Sequence, residues 1–387
     1  MSTKKRQVGV ILTDTQKKKR YKGSGLASEV MVEPEDSLWL PCRVPAINYL
    51  LGGGVPYGKI LELFGSESSG KTLLAMDFGS VAQSMGGIVL FNDAEQAFDL
   101  KWSTLNGLDP TKTELYCETT IEHISDWVLD MAVTYRSRLS NNEPIVFIQD
   151  SIAALDTTDN IGSSQVDSKA EMGNRAKAIY KMVRTKNEAL HELGVISIFI
   201  NQIRQKVGAS KWEDPDTTPG GAAMKFFASQ RIGLYGGKHL KAKIGKVEDF
   251  IGRAISIRVK KNKVAPPRAT LKGMEVYFNS DYGKVGFNKY SGLLQILESL
   301  GVLTVSRGSI KFRDRLIARG EDSFYKVISE DDSLRKILLR KSRINTPSKL
   351  RHRLEKLSKA DENRYYIDAK KLRRDIEISN DDEEDEE

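Results

Sequence analysis

The stretch KILELFGSESSGKTLLAMDFGS, residues 59–80, decides the fold, because a short apolar run leads into a glycine-rich turn and then into a helical pattern. The turn fits the pattern G-x-x-x-x-G-K-[ST], whose meaning comes from a strand before it and a helix after it. Backbone N–H groups of such a turn bind phosphate oxygens at the helix start. The stretch therefore predicts a nucleotide-binding loop of Gly65, Ser66, Glu67, Ser68, Ser69, Gly70, Lys71 and Thr72.

Three side chains define the chemistry of this predicted site. Lys71 would reach the β- and γ-phosphates, and the Thr72 hydroxyl would bind Mg²⁺. Asp150 closes the apolar run IVFIQD, and an acid at the end of a strand beside the phosphates can orient Mg²⁺ through water. An Asp in this position is often only a helix cap, so its meaning depends on the phosphate loop. We expect ATP and Mg²⁺ as cofactors.

Hydrolysis also needs a group that orients or deprotonates the attacking water. The segment FNDAEQAFD, residues 91–99, supplies carboxylates directly after the apolar run GIVLF. Glu95 is the candidate base. A solvated acid at a helix start is the alternative, and the spacing alone leaves both interpretations open.

Short apolar runs on both sides of the loop predict the fold class. Their branched apolar residues and near absence of charge are typical of strands buried in a parallel sheet. The runs are KILELF (59–64), GIVLF (87–91), IVFIQD (145–150) and VISIFI (195–200), with further strands expected in 255–267 and 274–278. Helical spacing follows Lys71 and recurs around 121–138 and 169–192. We predict an α/β fold, a P-loop ATPase core whose mostly parallel twisted sheet is flanked by helices.

The sequence changes character at about residue 287, where YSGLLQILESLGVL begins a predicted small α-rich C-terminal domain. A basic region rich in Lys and Arg follows from Arg335 to Arg374. It is either a surface that captures duplex DNA or a solvated helical face. The predicted divisions are a basic arm at 1–39, the core at 40–286, the C-terminal domain at 287–377 and an acidic tail at 378–387.

Composition narrows the class of protein. The chain has 387 residues, of which 40% are hydrophobic and 29% charged, with a net charge of +8. No run approaches the ~18 apolar residues that a membrane span needs, and the N-terminus lacks the apolar core of a secretory signal. Two cysteines, Cys42 and Cys117, argue against a disulfide framework or a zinc module. We expect a cytoplasmic protein that does not bind membranes.

The motifs together resemble one family, the RecA recombinases of bacteria and their phage-encoded relatives. GSESSGKT, DAEQAFD, QDSIAAL, FINQIRQKVG, TTPGGAAMKFFAS and VKKNKVAPP occur in the family's order and with nearly its spacing, over roughly residues 40–290. The resemblance implies a DNA-dependent ATPase that forms a helical filament on single-stranded DNA, pairs it with homologous duplex and exchanges strands in recombination and repair. Its implied partners are both kinds of DNA and other copies of the chain; single-strand-binding and mediator proteins are further candidates.

The resemblance also implies roles at the nucleotide. Glu95 would activate water, and Gln202 would sense the γ-phosphate and relay its presence to the loop behind it. Asp99 and Trp102 would contact adenine, although the family more often has Tyr at the second position.

At the subunit boundary, the resemblance implies that Lys261 and Lys263 reach the nucleotide of a neighbouring subunit. Phe226 would pack at the same interface. Hydrolysis would then require a filament.

Two DNA-binding loops are implied as well. The first covers about 157–173 and includes Met172 and Gly173, with Lys177 and Arg184 on the helix behind it. The second covers about 203–221. The first loop is longer than the usual bacterial version, and the second has an apparent one-residue insertion near SKWEDPD, so the contacts with individual base steps do not carry over directly.

The second loop has a composition that suits DNA independently of the resemblance. Arg204 and Lys206 can neutralise phosphates, and the backbone around Gly220 and Gly221 can approach them closely. Trp212 either stacks on bases, worth ~1–3 kcal/mol per base, or packs on the protein's own surface.

Two other functions compete with recombination. A ring-shaped motor ATPase, such as a replicative helicase, is built on a similar core, but such enzymes usually use an arginine where this chain has Lys261 and Lys263. A DNA-binding filament protein that uses ATP only to assemble is the third possibility, and Glu95 argues against it.

Overall fold

In the computed structural model, the described residues are 38–161, 169–205, 216–220, 223–244, 247–266, 268, 270–278 and 285–344. The basic arm up to residue 37, the acidic tail and the basic region from residue 345 onward lie outside them. So do three predicted DNA-binding residues, Lys206, Trp212 and Gly221.

Strands and helices alternate along most of the described chain. The strands are β1 (Trp39–Leu40), β2 (Val55–Pro56), β3 (Ile60–Gly65), β4 (Ile88–Asp93), β5 (Thr113–Tyr116), β6 (Ile145–Asp150), β7 (Ile196–Gln202), β8 (Arg204–Gln205), β9 (Asp216–Thr217), β10 (Gln230–Ile244), β11 (Val247–Asn262), β12 (Thr270–Tyr277), β13 (Gly286–Phe287), β14 (Thr304–Ser306), β15 (Ser309–Phe312) and β16 (Arg315–Arg319). The helices are α1 (Pro45–Leu51), α2 (Lys71–Ser84), α3 (Leu100–Leu105), α4 (Ile121–Arg136), α5 (Thr158–Ile161), α6 (Lys169–Glu192), α7 (Ala223–Phe227), α8 (Leu293–Ser299), α9 (Glu321–Glu330) and α10 (Asp332–Ser342). None of these helices combines the length and the apolar composition that crossing a membrane requires.

The main sheet in the described part of the chain has nine strands in the order β13-β12-β11-β10-β3-β7-β6-β4-β5. The five pairings from β10 to β5 are parallel, and the three pairings from β10 to β13 are antiparallel. This arrangement confirms the predicted α/β fold with a mostly parallel sheet. The carboxyl ends of β3, β4, β6 and β7 share one edge, because these strands run in the same direction.

Apolar side chains cover both faces of the parallel part of the sheet. On β6, Val146 and Ile148 belong to one core cluster and Ile145 and Phe147 to the other, as alternation along a strand requires. Helix α2 supplies Leu74 and its neighbours to the first cluster, while α4 and α6 supply the second. Burial on both faces explains why these strands appear in the sequence as unbroken apolar runs.

The C-terminal part differs in detail from its prediction. Its described residues, 287–344, form the helices α8 to α10, in agreement with the predicted α-rich character, and also a three-stranded antiparallel sheet in the order β14-β15-β16. These short strands mix Lys, Arg and Ser with apolar residues and give no apolar run. Helix α10 ends at Ser342, and Arg343 adopts the left-handed region with φ 55°, so the described start of the basic region is not one continuous helix.

The two-sided core makes a prediction for Phe147, a fully buried residue whose ring contacts Trp127 and Phe199. We expect Phe147→Ala to lower the free energy of unfolding by about 3–5 kcal/mol, through lost burial and the cavity left behind. Leu115→Ala, at a side chain that is 45% exposed, is the control and should change it by less than about 1 kcal/mol. Urea unfolding measures both; equal losses would contradict this packing.

Candidate active site

The phosphate loop joins the end of β3 to the start of α2, as predicted. Gly70 precedes the helix with φ 84°, a conformation that favours glycine. A Cβ on Gly65 would lie 2.1 Å from the backbone oxygen of Leu234 on β10, so this position also requires glycine. The loop is braced internally, because the buried Ser69 Oγ donates a hydrogen bond to the Ser66 backbone oxygen at 2.8 Å.

Lys71 folds back over this loop. Its Nζ donates to the backbone oxygens of Gly65 at 3.2 Å and Ser66 at 2.7 Å. Burial lowers the pKa of the Lys71 ammonium, and the nearby carboxylates, led by Asp150 and Glu95, oppose that shift. The cation therefore lies between the loop backbone and an acidic cluster, where phosphate oxygens are suitable partners.

The Thr72 hydroxyl and Asp150 form the predicted Mg²⁺ pair. Thr72 Oγ1 donates to Asp150 Oδ2 at 2.6 Å, linking the first turn of α2 to the end of β6. Burial raises the pKa of Asp150 to about 6, helped by Glu95 and Asp93, while the Thr72 hydrogen bond and Lys71 oppose the rise. Hydroxyl and carboxylate oxygens are the ligands that Mg²⁺ prefers, so the residues present fit this ion.

Glu95 lies just beyond β4, with its carboxylate at the same sheet edge. Its Oε1 accepts a hydrogen bond from Ser151 Oγ and a longer one, 3.4 Å, from Gln202 Nε2. The ends of β4, β6 and β7 thus meet at one carboxylate oxygen. Glu95 and Gln202 are predicted site residues, whereas the only sequence signal for Ser151 is its place directly after Asp150.

Asp99 and Trp102 lie together on α3. Asp99 caps this helix, since its Oδ1 accepts from the backbone N–H of Trp102 at 2.5 Å. Trp102 is half-buried and packs against the first core cluster. The described hydrogen bond gives Asp99 a structural role, and the contact of both residues with adenine stays a prediction.

Lys261 and Phe226 are also brought together. Lys261 Nζ donates to the backbone oxygens of Lys225 at 2.6 Å and Phe226 at 3.0 Å, at the end of α7. Burial, together with the nearby charges of Lys263 and Arg231, lowers the pKa of Lys261 to about 8. The Phe226 side chain itself is 66% exposed. An exposed aromatic of this size beside a restrained cation suits an interface, although the subunit contact stays a prediction.

The first predicted DNA-binding loop contains helical residues at both ends, and residues 162–168 between them lie outside the described part of the chain. Helix α6 already begins at Lys169, so the backbones of Met172 and Gly173 are helical rather than part of a loop. Lys177 and Arg184 are exposed further along the same helix. Together with Ala176, Tyr180 and Lys181 they line an open cavity of about 410 Å³. Tyr180 and Lys181 are not among the predicted DNA-binding residues, but helical spacing places them on the same face as Lys177 and Arg184.

The second predicted DNA-binding loop is closed by backbone pairing at its base. Arg204 on β8 pairs with Thr217 on β9 in antiparallel register. Gly220 follows shortly after β9, with φ 83°. The loop therefore leaves and re-enters the core at adjacent points, with Gln202 at its first end.

The raised pKa of Asp150 predicts a conflict between function and stability. The pKa of the Asp150 carboxyl is about 6 in the folded protein and 3.8 in the unfolded chain. The ionised carboxylate therefore destabilises the fold by its full amount above about pH 6, and this effect disappears as the pH falls to about 3.8. We expect Asp150→Asn to raise the free energy of unfolding by about 1–3 kcal/mol near pH 7, with the gain vanishing as the pH falls to about 4. Urea unfolding across this range measures the gain.

The matched control is Asp126→Asn, because the Asp126 side chain is 76% exposed and its change should be small at every pH. A gain for Asp150→Asn that does not depend on pH would contradict the assignment of the buried charge.

Comparison with known proteins shows the family to which this chain belongs. A sequence profile described as "RecA N-terminal domain" matches residues 39–282. "Protein RecA" of Aquifex aeolicus (strain VF5) is 31% identical over 338 residues, which are 86% of this chain and 91% of that protein. "Protein RecA" of Streptococcus pneumoniae (strain Hungary19A-6) is 33% identical over 298 residues, 74% of this chain and 70% of that protein. This chain belongs to the RecA family.

Proposed function

We propose that this protein is a DNA-dependent ATPase and homologous recombinase, which forms a helical filament on single-stranded DNA and exchanges strands with homologous duplex. The contact between Gln202 and Glu95 carries this proposal. Gln202 is the last residue before the predicted DNA-binding loop, and Glu95 is the candidate base. A ligand that moves the loop would therefore act on the group that activates water.

The phosphate loop supplies the binding chemistry. Its backbone N–H groups and Lys71 hold the phosphates of ATP at the start of α2. Thr72 and Asp150 would hold Mg²⁺, which when bound neutralises charge on the phosphate oxygens. Glu95 orients and deprotonates the attacking water, since its carboxylate lies at the edge where the phosphates would lie.

Gln202 links this chemistry to DNA. Its amide shares Glu95 Oε1 with the Ser151 hydroxyl, and at 3.4 Å its hydrogen bond is the one more easily exchanged. A γ-phosphate would offer the amide a second anionic acceptor, one that it need not share with the Ser151 hydroxyl. Movement of Gln202 toward that phosphate would change the conformation of the loop that follows Gln202, and hydrolysis would reverse this conformational change.

Several basic residues would then hold DNA. Lys177 and Arg184 are seven residues apart on α6, about two helical turns, and so share one exposed face. Arg204, Lys206 and the glycine pair at 220 and 221 would approach phosphates from the second loop. Met172, Gly173 and Trp212 complete the proposed DNA-binding set.

The proposed base can be tested with Glu95→Gln, which keeps a hydrogen-bond acceptor for Ser151 but removes the charge. We expect wild-type ATPase activity to rise on addition of single-stranded DNA, and Glu95→Gln to lower kcat by at least about 10²-fold with nucleotide affinity retained. Glu298→Gln, an exposed position on α8, is the control with unchanged activity. Equal wild-type rates with and without DNA would contradict the proposed function.

A site shared between subunits can be tested by mixing variants. Lys261→Ala should lower DNA-dependent turnover at least about tenfold, while isolated subunits still bind nucleotide. Subunits with Lys261→Ala keep Glu95, and subunits with Glu95→Gln keep Lys261. We therefore expect the mixture to be more active than either variant alone. Where the two kinds of subunit meet, one of the two possible interfaces combines an intact Glu95 with an intact Lys261.

Lys272→Ala, at an exposed lysine on β12, is the control and should behave as wild type in the same mixture. Electron microscopy with ATP and single-stranded DNA completes the test. A helical filament is the expected particle; closed rings, or no gain of activity on mixing, would exclude the filament with a shared site.

A further inference from the structure

Asn201 is a fully buried residue at the end of β7, next to Gln202. Its side-chain Nδ2 donates one hydrogen bond to Glu62 Oε1 and one to the backbone oxygen of Pro219, both at 3.0 Å. Its Oδ1 accepts from the backbone N–H of Gln202 at 3.0 Å. Both amide hydrogens and the amide oxygen are therefore engaged.

Glu62 gives this junction a fixed anchor. The Glu62 side chain is 0% exposed and is paired with the guanidinium of Arg231, its register partner on β10. The same guanidinium lies 5.1 Å from the centre of the Phe64 ring. A buried carboxylate with such a partner is held firmly, because loss of the arginine would leave an uncompensated buried charge. Glu62 is also three residues from Gly65, where the phosphate loop begins.

The other two partners of Asn201 lie at opposite ends of the second predicted DNA-binding loop. Gln202 precedes the loop, and Pro219 lies close to its other end. One planar amide thus holds both ends of the loop, with its nitrogen on Pro219 and its oxygen on Gln202. Because the amide is rigid, a shift of Pro219 that turns the nitrogen also turns the oxygen bonded to Gln202.

We propose that Asn201 is a positioning residue that couples this loop to ATP hydrolysis, by tying Pro219 to the backbone of Gln202 and both to buried Glu62. Binding of single-stranded DNA to the loop moves or fixes Pro219. The Asn201 amide transmits that change to Gln202, whose side chain contacts Glu95. This coupling rests on the proposed function, since it needs DNA at the loop and hydrolysis at Glu95.

The decisive experiment exchanges the two side chains in one double variant, Asn201→Asp with Glu62→Gln. The amide at position 62 can donate to the carboxylate at position 201 while its oxygen accepts from Arg231, the net charge of the junction is unchanged, and the Gln202 N–H keeps an acceptor. The donor to Pro219 is lost. We expect the ratio of ATPase rates with and without single-stranded DNA to fall by at least about fivefold, the lower end of typical coupling between sites. A wild-type ratio would overturn the proposal.

Asn92 supplies a matched control for the effect of losing a buried amide. It is equally buried, its Nδ2 donates to the Glu118 backbone oxygen and to Gln149 Oε1 at 3.0 Å each, and its Oδ1 accepts from Glu118 N–H at 3.2 Å. Asn92→Ala and Asn201→Ala each remove three hydrogen bonds of a buried amide, but of the two residues only Asn201 contacts the loop. We expect the DNA stimulation ratio to fall for Asn201→Ala alone; equal falls would show a general effect of destabilisation and overturn the proposal.

Hydrogen exchange in the wild-type protein tests the proposal without any variant. Addition of single-stranded DNA should change the exchange rate of the Gln202 amide, which is bonded to Asn201, and leave the Glu118 amide, bonded to Asn92, unchanged. An unchanged Gln202 amide under saturating DNA would overturn the coupling. If DNA does not stimulate wild-type ATPase at all, the proposed function fails, whereas normal stimulation with an unaffected double variant rejects only the role of Asn201.

Discussion

The partly buried hydrogen bond between Thr72 and Asp150 is the interaction on which the site depends. It joins the helix that begins at the phosphate loop to the strand that ends beside it, at 2.6 Å. Burial and the carboxylates of Asp93 and Glu95 disfavour the ionised form of Asp150, as its raised pKa shows. A divalent cation would bring the positive charge that reverses this balance. The site is therefore arranged to bind such a ligand, and without it the ionised carboxylate of Asp150 destabilises the protein.

Parallel strands make this arrangement possible from residues that are far apart in the chain. Strands β4, β6 and β7 end at one edge, so Glu95, Ser151 and Gln202 meet although up to 107 positions separate them. Residues at strand ends can be selected from sequence when the strand is an apolar run and a known motif marks the edge. The phosphate loop, Asp150 and Glu95 were found in this way. Ser151 was missed because nothing in its spacing separates it from a serine that only caps a turn.

Other features of the fold can be recognised only from the strand register and the burial pattern of the folded chain. Strand β5 has the sequence TELY with no fully buried residue, and β10 contains three glycines in QRIGLYGGKHLKAKI, so neither resembles the apolar runs of the central strands. The link from Glu62 to Arg231 depends on β10 lying beside β3, which no local pattern predicts. In the same way, the helical spacing around 169–192 predicted α6 well, but the resemblance assigned Met172 and Gly173 to a loop that the structure describes as helix.

Charge is divided between two parts of the fold in a way that favours head-to-tail association. The groups that shift the pKa of Lys71 are the carboxylates of Asp150, Glu95 and Glu67, whereas Lys261 is surrounded by Lys263 and Arg231 with Glu62 as its acidic neighbour. Acidic side chains therefore predominate around Lys71, whereas basic side chains predominate around Glu62. Complementary patches at different places on the same subunit produce a heterologous interface, which repeats into an open helix unless the rotation closes a ring. In the proposed filament, the phosphates of ATP would add negative charge to the acidic part and so would strengthen its attraction to the basic part of a neighbouring subunit.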